Sequence, residues 1–239
     1  MIEKMVIDKP VYQIYYRDFP LAFRFGSYLA LFRSMAIAHL VEQLYDTSRL
    51  TQQTYHRLQT TRTLIKQLIQ FGTDSDEGMK VLEHMNRAHS TVIADNDAYR
   101  YVLCCFFLEP FRWNACFGSR QMSDEQKQTA IDFWCEIGRR MGIQNLLVNE
   151  REWLHFQADY ENIFLVRSEK GHLLAQRSLV ETPKLVFPLG VRNLIRQSLL
   201  ATMEDKVRLA LGLKAAILPA PLLLALLKPV NRLAQSNND

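Results

Sequence analysis

Apolar residues recur along this chain at intervals of three, four and seven, while strict polar–apolar alternation between Gly or Asn-Gly turns is almost absent. An apolar stripe at helical spacing has to be buried against another such stripe, so the pattern predicts an all-α fold built by helix-on-helix packing. A first amphipathic segment covers about Gly26 to Tyr45. A second runs from near Ser48 to Phe71, with Leu58, Ile65, Leu68 and Ile69 on one side and Gly72 as its stop. Ser75 caps a third helix reaching about Ile93, and the polar run Asp95-Asn96-Asp97 ends it and starts the next.

The fourth helix, about Asp97 to Ala115, carries Tyr99, Tyr101, Phe106, Phe107, Phe111 and Trp113, with a kink expected at Pro110. Ser123 and Gln126 form a capping box ahead of a fifth helix that Gly142 closes. Asn149 caps a sixth through Ile163. Pro183 and Pro188 interrupt the chain before a helical pair at about Val191 to Leu211, and a last apolar helix is expected between Pro221 and Leu233. No repeat and no long linker divides the 239 residues, so 1–239 is read as a single large helical domain.

Composition narrows the function classes. A formal charge of +4 comes from 29 basic and 25 acidic residues mixed along the chain, which leaves no nucleic-acid footprint. Cys104, Cys105, Cys116 and Cys135 include no Cys-x-x-Cys pair, which disfavours zinc and points to buried free thiols inside the cell. The first ten residues lack an apolar signal core. The longest uncharged apolar run, Ala215 to Leu227, is shorter than the roughly 20 residues that cross a bilayer. The expected location is cytoplasmic, with membrane association as an addition: Leu222 to Leu227 either docks on lipid or completes the core.

Six histidines are the candidate metal ligands: His39, His56, His84, His89, His155 and His172. The single Glu-x-x-His, Glu152 with His155, lacks the second copy that a di-metal bundle site requires. His89 shares a helical stripe with Leu82, Met85 and Val92. An imidazole there needs partners for both ring nitrogens, since an unpaired buried polar group costs roughly 1–3 kcal/mol. An ordinary hydrogen bond or a metal would both serve, and spacing alone does not choose.

A resemblance bears on that choice. Met85-Asn86-Arg87-Ala88-His89, then Asn96-Asp97-Ala98-Tyr99-Arg100-Tyr101, then Glu109-Pro110-Phe111-Arg112-Trp113 together resemble the MpaB-type oxygenase family, which is related to the latex clearing proteins, haem b rubber oxygenases. Phe133-Trp134 with Ile137-Gly138-Arg139-Arg140-Met141 and, upstream, Tyr16-Arg17-Asp18-Phe19-Pro20 and Arg62-Thr63 also fit. The likeness is best over 16–164 and looser in the C-terminal helices, 190–234.

The resemblance implies a globin-like core enclosing haem b, His89 as proximal iron ligand, and an open sixth position where O₂ binds. The distal Lys-Thr pair of the latex clearing proteins matches Arg62-Thr63. Arginine has no lone pair to give a metal, so Arg62 is expected to donate hydrogen bonds to oxygen or a propionate, or else to form a surface ion pair. Arg87 and Arg112 are candidates for propionate pairing against the alternative of structural ion pairs, Asn86 for orienting its neighbours, and Trp113 for core packing. The implied reaction is O₂-dependent oxidative cleavage of a carbon–carbon double bond in an apolar, isoprenoid-like or polyprenyl substrate. A non-catalytic haem binder or sensor and a haem-free helical lipid-associated protein remain as alternatives.

Overall fold

A computed structural model describes residues 9–47, 54–90, 94–185, 187 and 189–226, with the side chains of 43–47 excepted. Among these residues every regular element is helical. The order is α1 (Pro10–Tyr12, passing into a π-helical turn Gln13–Asp18), α2 (Pro20–Met35), α3 (Ala38–Thr47), α4 (Thr54–Phe71), α5 (Asp76–His89), α6 (Asn96–Phe117), α7 (Asp124–Arg140), α8 (Glu150–Phe164), α9 (Glu169–Glu181), α10 (Arg192–Thr202) and α11 (Asp205–Ala210). Two 3₁₀ turns, Thr182–Leu185 and Leu189–Val191, join α9 to α10, and 220–226 are helical again.

The centre of the molecule is the α2–α6 pair. α2 buries Phe23, Phe25, Tyr28, Leu29 and Phe32, and α6 buries residues on every side, from Tyr101 to Asn114. A helix apolar all round belongs in the middle of a helical domain. Aromatic pairs carry the contacts outward from it: Phe25 stacks on Trp113 at 5.3 Å, Phe106 on Trp134 at 5.1 Å, and Phe107 meets Trp153 edge-on at 5.6 Å. Each pair adds about 0.5–1.5 kcal/mol beyond the area it buries. Trp113 is thus core, as its place in an aromatic run suggests.

The two central helices touch where Gly26 crosses Pro110. A methyl group at Gly26 would stand 2.4 Å from the Pro110 nitrogen and Cα, so only glycine admits this approach. α6 runs on as one helix through Pro110, which removes one backbone donor at that turn.

Local signals place the helix starts. Ser75 accepts from Gly78 N, Asn149 from Glu152 N, and Ser123 and Gln126 form the reciprocal capping box. Three boundaries differ from expectation and a fourth is not tested. The first amphipathic segment is two helices, α2 and α3, separated by the bend at Ala36–Ile37, where Ile37 makes an isolated antiparallel bridge to Leu165. α2 also begins six residues early, at Pro20, whose fixed φ suits a first helical position. α5 ends at His89, and the expected continuation to Ile93 lies outside the described residues. α9, capped by Ser168, has no counterpart in the sequence reading, because its apolar face is narrow and Glu169, Lys170 and Arg177 dilute it. Cys104, Cys105 and Cys135 are buried free thiols, whereas Cys116 is exposed, because it lies in the last turn of α6 beyond the core.

Candidate functional site

Three chain ends converge around His89: the last turn of α5 (Asn86, His89, Ser90), the first turn of α6 (Asn96, Tyr99) and the turn after α7 (Met141, Gly142, Ile143). Reciprocal hydrogen bonds hold two of them together. Asn96 Nδ2 donates to Gln144 O at 3.0 Å, and Gln144 N donates to Asn96 Oδ1 at 2.8 Å. Asn86 Nδ2 donates to Arg140 O at 3.1 Å, tying α5 to the end of α7. Between them lies an open cavity of about 240 Å³. Gly142, at φ 78°, turns the chain away from α7, and the position its Cβ would take is empty space.

The half-buried His89 ring is oriented from its own helix. Nδ1 lies 2.7 Å from Met85 O, and a carbonyl only accepts, so Nδ1 carries the proton and Nε2 keeps its lone pair. No hydrogen bond or ion pair engages Nε2 among the described residues. Nδ1–H donating to a backbone carbonyl is the arrangement that presents imidazole as a metal ligand through Nε2. Tyr99 stands beside it, its ring 6.1 Å from the imidazole and its hydroxyl 3.4 Å from His89 O. Of the stripe neighbours, Leu82 is buried and Met85 half-buried; Val92 lies outside the described residues.

The other candidate residues are placed differently. Arg62 and Thr63 are exposed on α4 and are not among the residues lining the His89 cavity. Thr63 Oγ1 donates to Gln59 O, and the Arg62 charge acts on Tyr16, Tyr28 and Arg24 near the start of α2. Arg87 is exposed, with no acidic partner among the described residues. Arg112 is already engaged: it pairs with Glu109, donates to Gln157 Oε1 at 2.7 Å and lies 3.6 Å from Glu204.

Arg112 belongs to a charged cluster that sequence reasoning missed. At its centre Arg33, wholly buried, contacts three carboxylates: Glu109 at 2.6 Å, Glu161 at 2.5 Å, and Glu204. Tyr101 donates to Glu161 at 2.9 Å and Lys206 reaches its other oxygen at 2.8 Å. Burial alone would strip the Arg33 charge, but Glu109, Glu161 and Glu204 hold its guanidinium well above the ordinary value. Burial likewise pushes the Glu161 and Glu204 carboxyls up, and the Arg33 charge, with Lys206 and Arg112, outweighs it and holds both below the ordinary range. Arg33, Arg112 and Lys206 balance Glu109, Glu161 and Glu204, so the cluster is electrically closed. Its one sequence cue is an arginine inside the apolar run Tyr28 to Ile37.

Residues 14–234 match the family described as ER-bound oxygenase mpaB/B'/Rubber oxygenase, catalytic domain. The chain belongs to this family. Two curated relatives are ER-bound oxygenase mpaB' of Penicillium brevicompactum, 24% identical over 92% of this chain and 54% of that protein, and ER-bound oxygenase mpaB of Penicillium roqueforti (strain FM164), 23% identical over 87% of this chain and 75% of that protein. The chain thus spans about half the length of the first relative. Oxygenase is the activity of the family's catalytic domain, and the all-α, single-domain architecture expected from the helical periodicity of the sequence is the one observed. Among the described residues no helix is long and apolar enough to cross a membrane.

Rubber oxygenases bring haem into question, and the residues here fit it in part. No cluster of three or more His, Cys, Asp or Glu suited to a bare metal ion exists among the described residues, but haem needs only one axial donor, and His89 Nε2 is one. The cavity is the poorer match. At about 240 Å³ it falls below the roughly 300 Å³ at which small-molecule sites begin, and a porphyrin is larger than most such ligands. The expected enclosure of haem is therefore not seen in this arrangement of α5, α6 and the 141–143 turn.

Proposed function

We propose that the chain is a haem b-dependent oxygenase in which His89 holds the iron and an apolar, isoprenoid-like substrate is cleaved oxidatively at a carbon–carbon double bond. The observation that supports it is the Nδ1–H donation to Met85 O, which leaves Nε2 with its lone pair at a cavity. The family's oxygenase activity adds to it. When bound, haem supplies the O₂ chemistry, and the protein contributes the ligand, the access and the polarity of the walls.

In this reading Met85 O fixes the tautomer and strengthens His89 as a donor, and Tyr99 keeps the last turn of α5 in place through His89 O. Arg62 and Thr63 are assigned to the oxygen side, Arg87 and Arg112 to the propionates, and Asn86 to positioning α5 against α7. Arg87 is the freer of the two arginines, because Arg112 would have to leave Glu109 and Gln157. Loading also requires the cavity to widen beyond its present volume. The same reading puts the protein in the cytoplasm against a membrane, through exposed Leu222 and Leu226.

Haemin titration tests the reading. The wild-type protein is expected to develop a Soret band that His89→Ala loses, and incubation with a polyprenyl substrate under O₂ is expected to yield carbonyl products. A Soret band without product identifies a non-catalytic haem binder. A colourless protein overturns the haem assignment and identifies a haem-free helical protein.

A further inference from the structure

On the opposite part of the chain, α9, α10 and the segment 212–217 line a second open cavity of about 710 Å³, within the range of small-molecule sites and about three times the volume beside His89. The two share no lining residue. One wall is apolar, made of Leu179, Val180, Leu200, Leu213 and Ile217. The polar part of the lining contains Arg167, Arg196, Lys214 and His172 and no acidic residue. Three permanent positive charges around one cavity repel each other, which costs free energy unless an anion sits among them.

Those charges are unanswered. Arg167 and Lys214 make no hydrogen bond or ion pair among the described residues. Arg196 donates only to the neutral amide of Asn193, at 2.9 Å. Unlike the buried Arg33, these three side chains are exposed, so an incoming anion meets them without first displacing a carboxylate.

The cavity is also built rather than left over. Gln197 Oε1 accepts from Ile217 N at 2.9 Å and Arg208 Nη1 donates to Leu213 O at 3.2 Å, so both ends of 213–217 are pinned. His172 Nδ1 donates to Leu211 O at 2.8 Å, which draws the preceding turn against α9. Gly212, at φ 63°, allows it, since a Cβ there would come within 3.1 Å of the imidazole and 3.4 Å of the Arg167 guanidinium carbon. The imidazole and Arg167 are thereby brought side by side at one end of the cavity. Also in the lining, Ile217 is 82% exposed and Val180 48% exposed, apolar surface that a bound chain would cover.

We infer that this cavity binds an anionic amphiphile, a single apolar chain lying along Leu179, Leu200 and Leu213 with an acidic head among Arg167, Arg196 and Lys214. Charge complementarity selects the head, and the width and apolarity of the wall select the tail. The inference does not rest on the oxygenase reading and holds for a haem-free protein.

Calorimetric titration of the full chain tests it, with laurate below its micelle concentration, dodecan-1-ol as the neutral twin and acetate as the bare head. Laurate is expected to bind at least tenfold more tightly than dodecan-1-ol, acetate not measurably, and raised salt to weaken laurate alone. The double variant R167Q/K214Q, in two exposed side chains that hold no other group, should keep the far-ultraviolet circular dichroism and lose at least tenfold in laurate affinity. I217A should weaken laurate and dodecan-1-ol alike. Equal affinity for laurate and the alcohol, or laurate affinity unchanged in R167Q/K214Q, overturns the inference. So does salt- and variant-sensitive binding to phosphatidylserine vesicles without binding of monomeric laurate, which assigns the surface to a membrane instead.

Discussion

The Arg33 cluster, along the middle of α6, and the His89 cavity, at its first turn, treat polar groups in opposite ways. Around Arg33 every charge has a partner of opposite sign and the side chains are fixed from α2, α6, α8 and the start of α11, with Arg33, Glu109 and Glu161 buried. Around His89 the ring is tied on one nitrogen by its own helix and left open on the other, with backbone turns and small polar side chains for walls. A saturated network holds a fold in register and has no valence left for a ligand. A half-satisfied group next to a cavity contributes little to the fold and is available for chemistry. That contrast is the physical ground for proposing the site at His89.

The two regions should respond oppositely to mutation. Arg33→Met is expected to cost the most, about 3–5 kcal/mol, because it removes the buried cation shared by Glu109 and Glu161 and leaves three carboxylates facing only Arg112 and Lys206. Urea unfolding measures it, and a loss under about 1 kcal/mol would mean that the cluster is not closed. Pairing it with Glu161→Gln should return part of the loss.

Acid comes next. The Glu161 and Glu204 carboxyls sit below the ordinary range in the folded protein, so they bind fewer protons than in the unfolded chain. Their contribution is fully present above the ordinary carboxylate range and is lost as the pH falls through their lowered values. The urea midpoint should therefore drop below about pH 4, and drop less in Arg33→Met, where the cause of the depression is gone.

At the open site the effects shrink. Gly142→Ala keeps a left-handed backbone with a Cβ pointing into empty space, so about 1 kcal/mol of backbone strain is expected, without a clash. His89→Ala should change stability least, by less than about 1 kcal/mol, since it removes one bond within its own helix. Its effect should be confined to haem binding, read as loss of the Soret band. A large stability loss in this variant would place His89 in the core and break the contrast.

Much of this was legible in the sequence, and what was not divides along a physical line. Capping is read within four residues, so Ser75, Asn149 and the Ser123–Gln126 box could be placed from the chain alone. The family motifs are equally local: they singled out His89 and a likeness best over 16–164, within the 14–234 that match the family. Arg33 resisted because its partners Glu161 and Glu204 lie 128 and 171 positions away, and nothing in an apolar run names the acid that will face it. Arg112 was left open between a propionate and a structural ion pair, because Gln157, 45 positions on, was invisible.

By itself, then, the sequence determined helix type, most helix starts, the family and which imidazole to examine, since each depends on neighbours within a few turns. Tertiary structure alone decided which charges cancel, that the His89 cavity is small and open, and that a basic, acid-free cavity forms between α9 and α10. Those outcomes depend on which helices meet, and helix meetings are set by the summed shape of the core rather than by any short stretch of chain.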